Sequence, residues 1–234
     1  MTKELSQSLK QGVCSDSAIL APSPASALIR EEKAIVIVID DDVSVREAVA
    51  DLLRSVCLEV KTFASARDFL QGEIPNSPGC IVIDVRLPNE SGLEFQKTLL
   101  KSNIHIPIIF ISAHDDVRTS VRAMKSGAIE FLTKPLHEQE LLDAVQMGIE
   151  HDRVRRQEAK VVTELRLRFK SLTSREQEVL FLVVAGHPNK EIATQLELSE
   201  MTVKVHRSQI MRKMQAKSLI DLVRMADKLT VPPR

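Results

Sequence analysis

The stretch AIVIVIDDD at residues 34–42 decides the fold of the first half of the chain. Residues 34–39 are apolar and mostly β-branched, and the run ends in three consecutive aspartates. A continuous apolar run of this length is typical of a buried strand in a parallel sheet with both faces covered. Residues 43–56 then place apolar side chains at helical spacing, so we expect this strand to lead directly into a helix.

The same alternation continues over the next hundred residues. Short apolar runs are followed by segments with helical spacing, which is typical of βα units and of a parallel sheet covered on both faces. The sequence therefore predicts an α/β part with five strands. The later strands are expected at 60–63, 80–83, 106–111 and 129–132, and the later helices at 66–71, 92–101 and 117–126.

The formal net charge of the 234 residues is zero, but the charges are unevenly distributed. Residues 30–150 carry 13 basic and 20 acidic side chains, a net charge of −7. Residues 151–170 have a net charge of +4, and residues 171–234 have a net charge of +3. An acidic part joined to a basic part indicates separate domains, and the basic part suits an anionic partner.

Composition disfavours several classes of protein. Aromatic residues make up 3% of the chain, with neither Trp nor Tyr, which argues against a single-strand binder built on stacked rings. Cys14, Cys57 and Cys80 lack the spacing of a zinc site or disulfide framework and are typical of reduced thiols in a cytoplasmic protein. The longest apolar run, residues 179–185, has seven residues. A membrane span needs about 20, so neither a membrane segment nor export is expected.

Polar side chains follow four of the five predicted strands: the Asp40–Asp42 cluster, Asp84, Ser112 and Lys134. The carboxyl ends of parallel strands meet at one edge of the sheet, where ligands bind. Crowded carboxylates are costly unless a cation joins them, and Mg²⁺ takes carboxylate, water and phosphate oxygens. A lysine and a hydroxyl on neighbouring strands suit an anion that shares this metal. Together these residues describe a carboxylate that accepts a phosphoryl group.

Each of these residues alone has a simpler interpretation. Asp42 suits the N-cap of the next helix, a lone aspartate at a strand end is commonly a turn former, and Lys134-Pro135 is compatible with a turn. Their joint occurrence at the ends of the first, third, fourth and fifth strands favours the phosphoryl site.

Four motifs in residues 34–150 resemble the receiver domain of two-component response regulators in their order and spacing. This resemblance implies a flavodoxin-like fold, a doubly wound five-stranded parallel sheet. The motifs are Ile39-Asp40-Asp41-Asp42, Ile83-Asp84-Val85-Arg86-Leu87-Pro88 with Ser91-Gly92, Phe110-Ile111-Ser112-Ala113, and Phe131-Leu132-Thr133-Lys134-Pro135.

The receiver resemblance also implies the phosphoacceptor and the metal ligands. Asp84 would accept the phosphoryl group, and Asp40 and Asp41 would form the acidic pocket. Mg²⁺ would bind Asp41, Asp84 and the backbone carbonyl of Arg86, while Asp40 would act mainly through water.

Three further residues match the receiver positions that sense the phosphoryl group. Ser112 would hydrogen-bond it, and Lys134 would pair with it. Phe131 occupies the switch-aromatic position, and because it has no hydroxyl it would report only through packing. A phosphoryl group adds roughly −1.5 to −2 charges, which would draw Lys134 and Ser112 towards it and shift the receiver equilibrium.

The last 64 residues indicate helices only. Thr173 and Glu176 fit a capping box at the start of the first of four expected helices. Residues 190–196 and 200–215 are separated by a tight turn and form a helix-turn-helix pattern. A fourth helix is expected from residue 218 to about residue 229.

The third of these helices has two unlike sides. Val203, Ile210 and Met214 should face the core, and the opposite side suits the DNA major groove. Lys204 can donate to guanine and Val205 can meet a thymine methyl group, whereas a solvated cationic face is the simpler alternative. The outward side carries Met201, Lys204, Val205, Ser208 and Arg212. Expected phosphate contacts, which position the domain without reading sequence, are Lys190, Thr202, Arg207 and Lys213.

Residues 168–231 resemble the LuxR/NarL-type DNA-binding domain. That resemblance implies duplex DNA as the ligand, although Ser208 stands where some members have Lys. It also implies that the last helix pairs in a DNA-bound dimer through Ser218, Leu219, Leu222 and Met225. The motifs that carry it are Leu172-Thr173-Ser174-Arg175-Glu176-Gln177-Glu178-Val179-Leu180, Asn189-Lys190-Glu191-Ile192-Ala193, Thr202-Val203-Lys204-Val205-His206-Arg207 and Ile210-Met211-Arg212-Lys213-Met214.

The remaining segments are an N-terminal extension and a connector. Residues 1–33 show little periodicity and predict a flexible extension, with a short partner-binding helix as the alternative. Residues 150–160 are nearly all polar, so a solvated helical connector is expected at 151–170. A plain amphipathic linker and a short paired seam are both compatible with its pattern. The seam would use Leu141, Val145, Val162, Leu165 and Phe169.

These observations predict a two-domain regulator that resembles the FixJ-like group. The expected division is an extension (1–33), a receiver (34–150), a helical linker (151–170) and a four-helix DNA-binding domain (171–234). Its expected partners are a sensor histidine kinase, double-stranded promoter DNA and a second copy on phosphorylation or DNA binding. RNA polymerase is a further possible partner, and no membrane is involved.

Two rival functions stay open. A phosphoaspartyl phosphatase or transferase also uses Asp and Mg²⁺, but Asp84-Val85-Arg86 lacks the second Asp of the motif that such enzymes use. A receiver that acts through protein or RNA contacts is the other, and the helix-turn-helix pattern argues against RNA. We therefore expect a regulator and not an enzyme.

Overall fold

A computed structural model describes residues 33–88, 90–113 and 117–230. The predicted N-terminal extension therefore lies outside the described residues, apart from Lys33. The five strands are β1 (Ile35–Ile39), β2 (Glu59–Phe63), β3 (Gly79–Asp84), β4 (Ile108–Ser112) and β5 (Glu130–Thr133). They form one parallel sheet in the order β2-β1-β3-β4-β5, which confirms the predicted topology.

Five helices accompany this sheet: α1 (Val43–Ser55), α2 (Ala66–Gln71), α3 (Gly92–Lys101), α4 (Val117–Lys125) and α5 (Glu138–Lys170). Asp42 caps α1 by accepting the backbone N–H of Ser44 at 2.8 Å, so its simpler interpretation as an N-cap is confirmed. Ser91 and Glu94 form a capping box at the start of α3. These caps fix where the chain turns from a strand end into a helix.

Alternate residues of each strand enter two separate cores, one on each face of the sheet. In β1, Val36 and Val38 share one core with residues of α1 and α5, whereas Ile37 and Ile39 share the other with residues of α2, α3 and α4. Burying each such side chain stabilises the fold by roughly 1.5–3 kcal/mol. The two-faced burial explains why the strands are continuous apolar runs.

Helix α5 has 33 residues, a length of about 50 Å. Leu141 and Val145 are 1% exposed and pack against the sheet, so a paired seam through them is ruled out. The expectation of a fully solvated connector is also wrong, because Asp152 is completely buried. The side-chain carboxylate of Asp152 accepts the backbone N–H of Gly79, at the start of β3.

The rest of the described chain is helical: α6 (Ser174–Val184), α7 (Asn189–Gln195), α8 (Glu200–Met214) and α9 (Leu219–Thr230). The predicted capping box of α6 is present, with Thr173 and Glu176 bonded reciprocally. Gln215 ends α8 in the left-handed conformation, at φ 57°. Apolar residues of all four helices form a separate core.

Cys57 is exposed and Cys80 is buried, and neither is in a disulfide; Cys14 lies outside the described residues. In the part of the chain that the structure describes, no helix combines the length and hydropathy that crossing a membrane requires.

Candidate functional site

Parallel pairing brings the predicted polar side chains to one edge of the sheet. Ile39 pairs with Ile83, and Asp84 pairs with Ile111. Asp40 and Ser112 therefore flank the end of β3, the strand that carries Asp84. All three are buried, at 1%, 7% and 3% exposure for Asp40, Asp84 and Ser112.

Lys134 joins the two buried carboxylates. Its ammonium lies 2.9 Å from Oδ2 of Asp40 and 2.5 Å from Oδ2 of Asp84. The other carboxylate oxygens accept backbone N–H groups, Oδ1 of Asp40 from Asp42 at 2.9 Å and Oδ1 of Asp84 from Arg86 at 2.7 Å. Every carboxylate oxygen of the pair thus has a donor. The arrangement retains a formal charge of −1 for two carboxylates and one ammonium.

Burial and this pairing act on the pKa values in opposite directions. Burial raises the pKa of Asp40, and the hydrogen bonds from Lys134 and Asp42 offset only part of that rise. Burial alone would lower the pKa of Lys134, but its hydrogen bonds to Asp84 and Asp40 outweigh that and raise it. The lysine is therefore held as a cation against two carboxylates.

The chemistry of these donors fits Mg²⁺. Two buried carboxylates share one ammonium, and the remaining negative charge favours a further hard cation that keeps several of its waters. Asp41 is exposed beside them. Among the described residues, no three acidic, imidazole or thiol side chains converge as a preformed metal cage. Asp41 and the Arg86 carbonyl consequently stay predicted ligands.

Two other residues support this edge. Sequence reasoning missed Arg46 and named Gly92 only as part of a motif. Arg46, on α1, donates to the backbone carbonyl of Asp40 at 2.5 Å and so holds the loop that carries the aspartates. Gly92 begins α3 so close to β3 that a Cβ there would lie 2.7 Å from the carbonyl oxygen of Asp84. A basic residue one turn after an acidic triplet was the only available signal for Arg46.

Phe131, the expected switch aromatic, is half-buried beside the site. Its ring centroid lies 6.5 Å from that of Phe110, at an interplanar angle of 42°. The backbone N–H of Lys134 donates to the carbonyl of Ser112 at 2.7 Å, which ties the ends of β4 and β5 together. The switching roles of Phe131 and Ser112 remain predictions.

Helix α8 has the two sides that its sequence predicts. Val203, Ile210 and Met214 are at most 1% exposed and belong to the core of the C-terminal helices. The opposite side is open to solvent, with Val205 53% exposed. This open side carries Met201, Lys204, Val205, Ser208 and Arg212.

The predicted phosphate contacts fall into two groups. Lys190 is exposed, and Thr202 lies at the start of α8, where its hydroxyl is 2.8 Å from that of the cap Ser199. Arg207 instead donates to Asn189 at 2.8 Å. Lys213 donates to Glu176 at 2.6 Å, and this glutamate side chain is 6% exposed. Arg207 and Lys213 thus pair with side chains of other helices, α7 and α6.

The predicted dimer residues of α9 also divide. Leu222 is 2% exposed and lies in the core of the C-terminal helices, where Met225 packs against it. Leu222 is therefore corrected from a dimer contact to a core residue. Ser218 and Leu219 are exposed, with Leu219 44% exposed, and Met225 is only partly buried, so these three stay predicted contacts.

Both parts of the chain match known protein families. Residues 36–146 match the family described as "Response regulator receiver domain", and residues 170–226 match "Bacterial regulatory proteins, luxR family". Nodulation protein W of Bradyrhizobium diazoefficiens is 51% identical over 199 residues, which cover 85% of this chain and 88% of that protein. The chain belongs to the FixJ-like response regulators.

Other members of the family agree. Transcriptional regulatory protein FixJ of Rhizobium meliloti is 40% identical over 81% of this chain and 93% of its own. The solved structure of response regulator StyR has 49% identity and a TM-score of 0.75, covering 84% of this chain and 99% of that one. This response regulator therefore combines a receiver with a LuxR-type DNA-binding domain, as its transcription-regulating relatives do.

The Glu176–Lys213 pair predicts a pH dependence of the LuxR-type domain. Burial opposes ionisation, but the hydrogen bonds from Lys213 and Thr173 outweigh it and hold the pKa of Glu176 below its ordinary value. The pKa of Glu in an unfolded chain is about 4.3, and above that pH the ionised Glu176 carboxylate stabilises the folded domain. This stability is lost as the pH falls through the lower pKa that Glu176 has in the folded domain. The protection of the α6 amides, measured relative to the intrinsic exchange rate at each pH, should therefore fall as the pH drops below about 4.

Substitution of the glutamate tests this dependence. Glu176→Gln should exchange faster than the unaltered protein near neutral pH, and the difference should shrink as the pH falls below about 4. Glu178→Gln is the control, since Glu178 pairs with Arg175 on the surface. An undiminished difference at low pH would mean that the ionised Glu176 carboxylate does not supply this stability.

Proposed function

We propose that a sensor histidine kinase phosphorylates this response regulator on Asp84 and that the phosphorylated protein regulates transcription from promoter DNA. The observation that carries the proposal is the pair of buried carboxylates joined by Lys134. A kinase-bound phosphohistidine supplies the phosphoryl group. An Asp84 oxygen attacks phosphorus, the P–N bond breaks, and an acyl phosphate forms on Asp84.

Residues around Asp84 then hold the product. The Arg86 N–H already binds Oδ1, which orients the carboxylate, while the Lys134 ammonium lies next to Oδ2 and can follow the charge onto the phosphoryl oxygens. We assign the Ser112 hydroxyl as a further donor. Mg²⁺, when bound, supplies positive charge shared between the carboxylates and the phosphoryl oxygens. Asp41, Asp84 and the Arg86 carbonyl are its proposed ligands, and Asp40 would act on it mainly through water.

On the DNA side, we propose that α8 enters the major groove and that Lys204 and Val205 meet base edges. The open side of α8 supports this, because its core residues lie on the opposite side. We further propose that phosphorylation favours a homodimer, that Ser218 and Leu219 contribute to pairing, and that the regulator acts in the cytoplasm, where promoters and RNA polymerase are found. We propose no enzymatic activity for the protein itself.

We retain the proposed division into extension, receiver, linker and DNA-binding domain, with one change. The matched ranges support a receiver centred on residues 36–146 and a DNA-binding domain that begins near residue 170. The burial of Asp152 against the start of β3 supports a receiver that continues beyond residue 150.

A genome-wide binding assay with and without acetyl phosphate tests the proposal. We expect acetyl phosphate with Mg²⁺ to label the protein once and to raise its occupancy at a limited set of promoters, with strong salt dependence. Steady hydrolysis of a phosphoester would instead support the enzyme alternative. Labelling without duplex binding would support regulation through protein or RNA contacts.

A further inference from the structure

Helix α5 lies unusually close to β3 of the receiver. Gly148 permits this approach, since a Cβ at that position would be 2.8 Å from Cβ of Cys80 and 3.3 Å from its sulfur. The Cys80 thiol lies 3.8 Å from the carbonyl oxygen of Val145. Burial, and secondarily the charge of Asp152, raises the pKa of Cys80 to about 12, so this contact is made by a neutral thiol.

One turn further along the same face, a carboxylate replaces the apolar side chains. Asp152 is completely buried and accepts four hydrogen bonds. Its Oδ2 accepts the Gly79 backbone N–H at 3.1 Å and Nε of Arg156 at 2.7 Å. Its Oδ1 accepts two bonds from the guanidinium of Arg155, at 2.9 and 2.7 Å. A buried carboxylate is stable only when it is paired in this way.

This ionic cluster also reaches another part of the receiver. The Nη1 of Arg156 donates to Oδ1 of Asn76, in the loop before β3, at 3.1 Å. A single carboxylate thus connects α5 to the amino end of the strand that carries Asp84 at its carboxyl end. The hydrogen bonds of this carboxylate are directional, so they specify one rotation of α5 about its axis. Apolar packing alone specifies that rotation less strictly.

The other end of α5 is held by the LuxR-type domain. Arg168 donates to the carbonyl of Met214, the last residue of α8, at 3.2 Å. Phe169 contacts Phe181 of α6, with ring centroids 6.0 Å apart. Between Arg156 and Leu165, which is 5% exposed, only eight residues of helix remain, about 12 Å. A change in the orientation of α5 on the receiver would therefore change the orientation of the DNA-binding helices by a similar amount.

We propose that Asp152, Arg155 and Arg156 form a clamp with Gly79 and Asn76 that fixes α5 to the receiver and sets the orientation of the DNA-binding domain. These residues act as positioning residues, because none of them lies at the sheet edge with Asp84. The clamp makes α5 as far as Arg156 part of the receiver. Its effect on phosphorylation-dependent DNA binding rests on the proposed function, whereas its effect on domain orientation does not.

A distance measurement tests the clamp without phosphorylation or DNA. Spin labels are placed in the full chain at Arg67→Cys on α2 and Ala185→Cys after α6, both exposed positions, with Cys14 and Cys57 replaced by Ser and the buried Cys80 retained. We compare Asp152→Asn and Arg156→Met with Arg153→Met. Arg153 offers a matched loss of charge, because it lies on the same helix and only approaches Glu150, at 3.8 Å.

We expect a narrow distance distribution in the parent and in Arg153→Met, and a broadened or shifted one in both clamp variants. Asn76→Ala should broaden or shift the distribution in the same direction. Identical distributions in the parent, Arg153→Met and every clamp variant would overturn the proposal. Arg156→Met retains most of the aliphatic stem, and Asn76→Ala removes only an exposed hydrogen bond. A folding failure of Asp152→Asn therefore still leaves two variants that decide the question. Hydrogen exchange of the Gly79 amide should accelerate in each.

A second readout separates coupling from stability. Duplexes are first selected from a random pool by the parent protein after treatment with acetyl phosphate. The gain in affinity for these duplexes on phosphorylation should be lost in Arg156→Met and retained in Arg153→Met. Labelling by acetyl phosphate should be the same in both. If Arg156→Met keeps this gain in affinity, the clamp does not couple phosphorylation to DNA binding. If the parent itself shows no gain, the proposed function fails, while the distance result still decides whether the clamp exists.

Discussion

Replacing Asp84 with Asn is expected to abolish labelling of the protein by acetyl phosphate. The Asn amide is not a nucleophile towards phosphorus, whereas its carbonyl can still accept the Arg86 N–H that Asp84 accepts at 2.7 Å. The substitution therefore removes the chemistry while retaining a principal contact of the side chain. Intact-protein mass spectrometry after incubation with acetyl phosphate and Mg²⁺ measures the effect directly.

A surface aspartate provides the control for this loss. Asp51 lies on α1, its side chain is 74% exposed, and it pairs with Arg54. Asp51→Asn should be labelled as fully as the parent protein. Circular dichroism should show that Asp84→Asn remains folded, since Lys134 keeps its bond to Asp40. Undiminished labelling of folded Asp84→Asn would place the phosphoacceptor at another residue.

The sheet and its polar edge were predictable because they depend on short-range patterns. Runs such as residues 34–39 are buried on both faces, and a parallel arrangement brings their carboxyl ends together whatever the details of packing. The bond from Lys134 to both Asp40 and Asp84 was not predictable in the same way. It depends on how far a long side chain extends between two strands, which sequence spacing does not specify.

The buried carboxylate of α5 shows a different limit of sequence reasoning. The stripe that packs on β3 runs through Val145 and Gly148 and continues four residues later at Asp152. Because this last member is charged, an apolar pattern ends there and the segment resembles a solvated connector. Two arginines at the third and fourth positions after an aspartate were the only signal of a paired, buried group.

Basic residues of the DNA-binding domain show the same limit. Lys204 and Lys213 have equal charge and lie on one helix, so the sequence alone assigns both to DNA. The structure separates them, because Lys204 is exposed whereas Lys213 is paired with the buried Glu176. Their different surroundings give the two lysines different expected functions.

Removing the Lys204 ammonium should weaken DNA binding without destabilising the domain. A good base contact contributes about 1–3 kcal/mol of discrimination, so Lys204→Met should lower affinity for a selected duplex by roughly 5- to 150-fold. Affinity for unrelated duplexes should change less, because those contacts are mainly to phosphates. Fluorescence anisotropy with a labelled duplex at several salt concentrations measures both effects.

Lys213→Met is the matched variant, with the same substitution nine residues further along α8. It leaves the buried carboxylate of Glu176 without its ammonium, although the Thr173 N–H remains 2.7 Å away. A buried charged group that loses a hydrogen-bond partner costs about 1–3 kcal/mol, so chemical denaturation should show a less stable C-terminal domain. At temperatures where this domain stays folded, the salt dependence of DNA binding should be that of the parent. A stable Lys213→Met protein with a reduced salt slope would show instead that Lys213 contacts phosphate and that its pairing with Glu176 contributes little.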